Sequence, residues 1–350
     1  MTLTMGILDQ SIVFPGQTPG EALRNTVRLA RLADRLGYAR YWVAEHHDGT
    51  QTAGSAPEVL IGHLLASTER IKIGSGGVML QHYSAYKVAE CFNVLATLAP
   101  GRVELGIGRA PGGLPRSTQA LRSGKSAPPP LAEQVDDLRR YLHGPAEPGH
   151  PLAGLQAAPL TEQPAELYML GTSVASARLA ADKGLPYVFA RFINSDHETA
   201  REAIDTYRSH FLRTHGRPPR PMLALAVIIT EDEEEAESLK GQHQSVRVTL
   251  AGGQTVNVGS LEQAEEYARQ AGEAYTTEVR DADVTIGTEE RVRARLLELQ
   301  REFGVDEMLF TAIIGDYAKR ERSFTRLIRL FDTADMAGKQ AAGEEGQTCG

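Results

Sequence analysis

The sequence holds only two cysteines, Cys91 and Cys349. Cys91 falls in a helical stretch and Cys349 is the next-to-last residue of a polar tail. No disulfide framework can be built from such a pair, and a reducing cytoplasm is the expected compartment. Positive charge is short as well. The 37 Lys and Arg against 45 Asp and Glu leave a net charge of −8, so no basic stripe is available for nucleic acid. No run of about 18 apolar residues exists to span a membrane. Residues 1–6 lack the basic-then-apolar pattern of a secretion signal.

What is present is alternation. Short apolar runs at residues 6–11, 40–45, 71–78, 102–109, 166–171, 186–192, 222–230 and 305–314 read as strands, each followed by helical pattern. In the first helix, 19–37, Leu23, Val27, Ala30, Ala33 and Leu36 form an apolar stripe, and Arg24, Arg28, Arg31 and Arg35 a solvated face. Ser55 suits the N-cap of the second helix, with Glu58 closing a capping box. Eight strand–helix units predict one domain over residues 1–334, an α/β (β/α)8 TIM barrel with insertions after strands 4 and 7. An open doubly wound sheet is the alternative. The first insertion, 111–163, reads as one helix over 131–142 within a cover for the barrel mouth. The second, 231–284, reads as two helical stretches, its acidic run from Glu231 to Glu235 being a helix start rather than a metal site. The tail after Asp335 has the composition of a disordered segment.

A barrel carries its active site on the loops at the C-terminal ends of its strands, so polar residues there are the informative ones. Glu45-His46-His47 ends strand two, where a histidine can move protons near neutral pH. Further metal ligands do not accompany the pair, so no metal site is expected. Gly74-Ser75-Gly76-Gly77 ends strand three and allows close backbone approach to a flat ligand. Arg109 follows strand four as a fixed cation at the rim. Thr172, Ser173 and Ser176 follow strand five at a helix start, where free N–H groups favour an anion. Strands four and five are neighbours in a barrel, so Arg109 and Thr172 should face one phosphate together.

On these residues the sequence resembles the bacterial luciferase-like monooxygenase family. The resemblance runs through Trp42-Val43-Ala44-Glu45-His46-His47, Ile73-Gly74-Ser75-Gly76-Gly77-Val78 and Gly101-Arg102-Val103-Glu104-Leu105-Gly106-Ile107-Gly108-Arg109, and resumes over residues 170–186. It implies a (β/α)8 barrel that takes FMN, reduced by a separate flavin reductase, and uses O2 through a flavin peroxide to oxygenate a small organic substrate. It implies that His46 is catalytic with Glu45 orienting it, that Arg109, Thr172, Ser173 and Ser176 hold the flavin phosphate, and that Gly76-Gly77 is a cis peptide under the ring. A homodimer through the helices after strands two and three is implied as well. Two positions depart from luciferase itself: Gly108 stands where it has a reactive cysteine, and Thr172 where it has a glutamate. By resemblance the chain looks closer to the smaller homodimeric oxygenases of the family, some of which tailor polyketides. A deazaflavin-dependent dehydrogenase and a non-catalytic flavin-binding protein are the alternatives. Cofactor preference separates the first, and an activity lost on His46→Ala removes the second.

Overall fold

The computed structural model describes residues 3–123, 128–239, 241 and 243–331. The tail expected to be disordered lies outside them, as does Cys349. In chain order the first seven strands are β1 (Thr4–Asp9), β2 (Arg40–Val43), β3 (Lys72–Met79), β4 (Val103–Gly108), β5 (Glu166–Gly171), β6 (Tyr187–Ala190) and β7 (Pro221–Ile229). The second insertion supplies β8 (Gln244–Leu250), β9 (Thr255–Val258) and β10 (Tyr275–Asp281), followed by β11 (Val284–Gly287) and β12 (Glu307–Thr311). Strands β1 to β7 and β12 pair in parallel, in the order β7-β12-β1-β2-β3-β4-β5-β6, and β6 pairs back to β7. That last pairing closes the barrel and removes the open-sheet alternative. β11 adds a ninth parallel strand on the upper half of β7, beyond its contact with β12.

The helices are α1 (Pro19–Leu36), α2 (Pro57–Ser67), α3 (Ala85–Leu98), α4 (Pro115–Leu121), α5 (Leu131–His143), α6 (Val174–Asp182), α7 (His197–His215), α8 (Glu233–Leu239), α9 (Leu261–Ala271), α10 (Glu289–Phe303) and α11 (Tyr317–Arg329). Both faces of each barrel strand are covered, which is why the strands read as nearly continuous apolar runs. Outward residues such as Ile7, Tyr41, Ile73, Leu105 and Phe310 pack under the helices. Inward residues Leu8, Trp42, Tyr168, Val188, Met222, Ala224 and Leu309 fill the barrel itself.

Several expectations need correcting. α1 keeps its four arginines outside and buries Ala30 and Ala33 of the expected stripe, with Val27 and Leu36 packed against the core; its buried face is turned to include Ala22, Thr26, Leu29 and Asp34 as well. Polar anchors turn the helix. Asp34 accepts from the N–H groups of Glu69, Arg70 and Ile71, and Thr26 bonds Ser11. α2 starts from Ala56 with no side-chain cap, so Ser55 does not cap it. Within 111–163, α5 is no cover: it buries Leu131, Val135, Leu138 and Leu142 and packs beside α3 as the regular helix of the fourth unit. A further short helix, α4, precedes it. The second insertion holds its two helices, the first opening at Glu233, but also a three-stranded antiparallel sheet, β10-β8-β9. Val246, Val248 and Leu250 alternate along β8 onto Tyr267 and Ala268 of α9, giving the insertion its own small core.

The N-terminal end of the barrel is shut by charge. Arg40 pairs with Glu104 at 3.1 Å and with Glu307. Glu104 also accepts from Trp42 Nε1 at 2.6 Å and Tyr168 OH at 3.2 Å, and pairs with Lys72 at 3.3 Å. Arg220 joins Glu166 to Glu307. Burial would raise the Glu307 carboxyl, but Arg40 and Arg220 hold it below its ordinary value. Arg220 and Tyr168 do the same for Glu166.

Candidate active site

Strand parity decides what the end of β2 presents. Arg40 and Trp42 face into the barrel, Tyr41 and Val43 out of it. Continuing that alternation sends Ala44 and His46 inward and Glu45 and His47 outward. Glu45 is fully buried. Its Oε1 accepts from His47 Nε2 and from Tyr83 OH, both at 2.7 Å, and its Oε2 from the Met79 N–H at 3.0 Å. The carboxylate expected to orient His46 therefore holds His47 instead, tying the end of β2 to the end of β3. His46 is anchored through its backbone, N–H to Gly54 O at 2.8 Å, while its buried Nδ1 has no hydrogen-bond partner. Burial holds the His46 imidazole below the ordinary histidine pKa. The Glu45 charge opposes that effect and His47 adds to it, leaving a neutral ring at pH 7.

The ends of β3 and β4 form the neighbouring wall. The Gly76–Gly77 peptide bond is cis. A Cβ on Gly77 would stand 2.7 Å from Gly106 O, so only glycine lets these strands approach. Gly108 is different, because a Cβ there would meet nothing nearer than Met79 Sδ at 3.9 Å. Arg109 is exposed and, among the described residues, has neither a hydrogen-bond nor an ion-pair partner. The loop beyond it is pinned at two points. His47 N–H donates to Gly112 O, and His82 Nε2 bonds Pro111 O, each at 2.7 Å.

β4 pairs β5 from Glu104 with Glu166 to Ile107 with Met169, and continuing that register sets Arg109 beside Gly171. Arg109 and the start of α6 are thus neighbours. Ser173 is the N-cap of α6 and shares a capping box with Ser176. Ser176 Oγ donates to Ser173 O at 2.7 Å and lies 3.0 Å from Tyr187 OH, and Asn194 Nδ2 donates to Thr172 O at 3.0 Å. Val174 and Ala175 open the helix with N–H groups that have no intrahelical acceptor. A cation beside a helix N-terminus is an arrangement whose chemistry suits an anion. Tyr83, Tyr187 and Asn194 belong to this mouth and were not singled out by sequence. They lie outside the strand-end motifs, although Tyr83 follows β3 closely enough for its hydroxyl to reach Glu45. Among the described residues no group of three or more His, Cys, Asp or Glu side chains could hold a metal ion. Nor is any described helix long and apolar enough to cross a membrane.

Residues 3–307 match the family model described as luciferase-like monooxygenase. The chain is 39% identical over 339 residues to the N-acetyl-S-alkylcysteine monooxygenase of Bacillus subtilis (strain 168), covering 97% of this chain and 100% of the relative. Among solved structures, apo-MsnO8 superposes with a TM-score of 0.75 at 33% identity, covering 94% of this chain and 98% of that one. The oxygenating constituent of 3,6-diketocamphane monooxygenase from Pseudomonas putida, solved with FMN, has a TM-score of 0.68 at 17% identity, covering 95% and 98%. That last likeness bears on the fold alone.

Proposed function

The chain belongs to the luciferase-like monooxygenase family, and on that premise we propose that it uses reduced FMN and O2 to oxygenate a small organic substrate. The observation that carries the reading is Arg109, unpaired among the described residues, beside the open N-terminus of α6, across a mouth where His46 Nδ1 is buried with no partner among those residues. These residues fit the cofactor's parts. Arg109, Thr172, Ser173 and the Val174 and Ala175 N–H groups suit the phosphate. Ser176 shapes that turn, and would reach the phosphate by giving up its bond to Ser173 O. Gly76, Gly77 and the open space at Gly108 suit a flat ring.

Reduced FMN, when bound, supplies two electrons and two protons, so that one oxygen atom of O2 enters the substrate and the other leaves as water. The chain's own part is positioning and proton control. A neutral His46 holds or accepts a proton at Nδ1 beside the reacting centre. Glu45 fixes His47, Tyr83 and the Met79 backbone, and so sets the shape of the wall around it. Water is kept out by the apolar inner faces of the strands.

Reduced FMN would come from a separate reductase in the cytoplasm. A homodimer through α2 and α3 is supported by Val59 at 71% and Leu98 at 76% exposure, apolar side chains on adjacent helices. The 39% identity to an N-acetyl-S-alkylcysteine monooxygenase makes an N-acylated amino acid bearing a thioether the first substrate class to try. The test is an anaerobic titration with reduced FMN and with the reduced deazaflavin cofactor, followed by admission of labelled O2 and N-acetyl-S-alkylcysteine. Tighter FMN binding and one labelled oxygen per product are expected. Preference for the deazaflavin with no O2 consumed would sink the proposal.

A further inference from the structure

Seven serine and threonine residues among the described ones are buried: Ser11, Thr26, Thr68, Ser75, Thr230, Thr311 and Ser323. Six of them have a hydroxyl partner. Ser11 and Thr26 bond each other at 2.9 Å, Thr68 donates to Leu64 O, Ser75 to Gly106 O and Thr230 to Asp232 O, and Ser323 accepts from the Ile229 N–H. Thr311 is the exception. It is 1% exposed, and among the described residues its Oγ1 has no hydrogen-bond partner. A chain that satisfies its other buried hydroxyls and leaves this one open carries a standing cost there.

Its direction follows from β12. Met308, Phe310 and Ala312 pack outward under the helices, and Leu309 packs inward on Leu8, Trp42 and Tyr168. Thr311 therefore faces the barrel interior, at its C-terminal end. The inward positions at the same level of β2, β4 and β6 are Ala44, Gly108 and Ala190, each two residues beyond an inward Trp42, Gly106 or Val188. This ring near the top of the barrel is thus three side chains of a methyl or less and one hydroxyl. Barrel layers are ordinarily filled by bulky branched side chains. A ring this small puts little side-chain bulk below the mouth and has Thr311 as its one polar side chain. β12 also lies across the barrel from β4 and β5, so a ligand whose phosphate sits between Arg109 and Thr172 points its far end toward Thr311.

We propose that the Thr311 hydroxyl is a ligand contact at the floor of the mouth, hydrogen-bonding the carbonyl-bearing edge of the flavin ring and so fixing which end of the ring enters. The assignment rests on the flavin reading above. It gives the apolar ring end no polar partner and the carbonyl end one, which is the discrimination a single buried hydroxyl supplies.

Thr311→Val keeps the shape and removes the hydroxyl, and Thr311→Ser keeps the hydroxyl. Thermal midpoints of the ligand-free proteins and anaerobic calorimetric titrations with reduced FMN and reduced riboflavin are the measurements. For Thr311→Val the ligand-free midpoint should hold or rise, because an unpaired buried hydroxyl is gone. Both flavin affinities should fall about five- to tenfold, since the contact is to the ring they share. Thr311→Ser should keep most of the affinity. The flavin carbonyl stretch in the Raman spectrum should move to higher frequency in Thr311→Val alone. Unchanged affinities in Thr311→Val, or a midpoint and affinities that fall together, would overturn the contact. A wild-type chain that binds neither flavin overturns the flavin reading itself, and this contact with it.

Discussion

The two ends of the barrel use the same kinds of side chain in opposite ways. At the N-terminal end Arg40, Lys72 and Arg220 meet Glu104, Glu166 and Glu307, and Trp42 and Tyr168 complete the bonding of Glu104. At the C-terminal end Arg109 has no partner among the described residues, and His46 Nδ1 and Thr311 Oγ1 are buried without one. Satisfied polar groups hold a structure in one arrangement, whereas unsatisfied ones at a mouth are free to bond a ligand. The Glu45 cluster shows that the mouth is not simply loose. It bonds both oxygens of Glu45, to His47 and Tyr83 and to the Met79 N–H, and leaves Nδ1 of the inward neighbour, His46, open.

The contrast can be broken by substitutions at either end. At the top, His46→Asn should lower turnover by about 10²- to 10⁴-fold, the usual share of a positioned proton-transfer group, with the urea midpoint held or raised. Steady-state rates and unfolding curves read the two effects separately, and a lost midpoint with retained rate would reverse the assignment. At the bottom, Arg40→Ala leaves Glu104 buried without its main cation. It should cost about 3–5 kcal/mol of stability in urea unfolding, while the folded protein binds flavin as before. A flavin affinity that falls with it would mean that the two ends are not separable.

Acidity sharpens the same contrast with a smaller effect. The His46 pKa is lowered in the folded chain, so the unfolded chain binds the extra proton first. Its contribution to stability is complete above the unfolded value near 6.5 and is lost as pH falls below it. Glu166 and Glu307 are lowered too, so their contributions persist until pH falls below the ordinary carboxylate range. Two separate losses are expected on acidification. Burial lowers His82, His143 and His243 as well, so His46→Asn should reduce the loss nearer neutrality without abolishing it.

The barrel was legible in the sequence because each strand is buried on both faces and reads as an apolar run, with ends displaced by at most a few residues. The mouth was legible because its glycines and hydroxyls stand at strand ends. The ionic floor was not, since Arg40, Glu104, Glu166 and Glu307 each sit at or near a strand start and look like single polar edges until the barrel brings them together. The antiparallel sheet of the second insertion was missed although Val246, Val248 and Leu250 alternate with polar residues, because the flanking helical pattern dominated the segment. The role given to Glu45 erred on parity alone: residues 45 and 47 share a side, and 46 does not.

The central claim is that the open groups at the mouth wait for a flavin phosphate and ring. It is tested most directly by titrating wild type and Arg109→Ala with reduced FMN and reduced riboflavin under anaerobic conditions. Loss of a charge-assisted contact predicts FMN binding weaker by about 10- to 100-fold with riboflavin binding unchanged. Equal losses for both flavins, or no loss for either, would contradict the account.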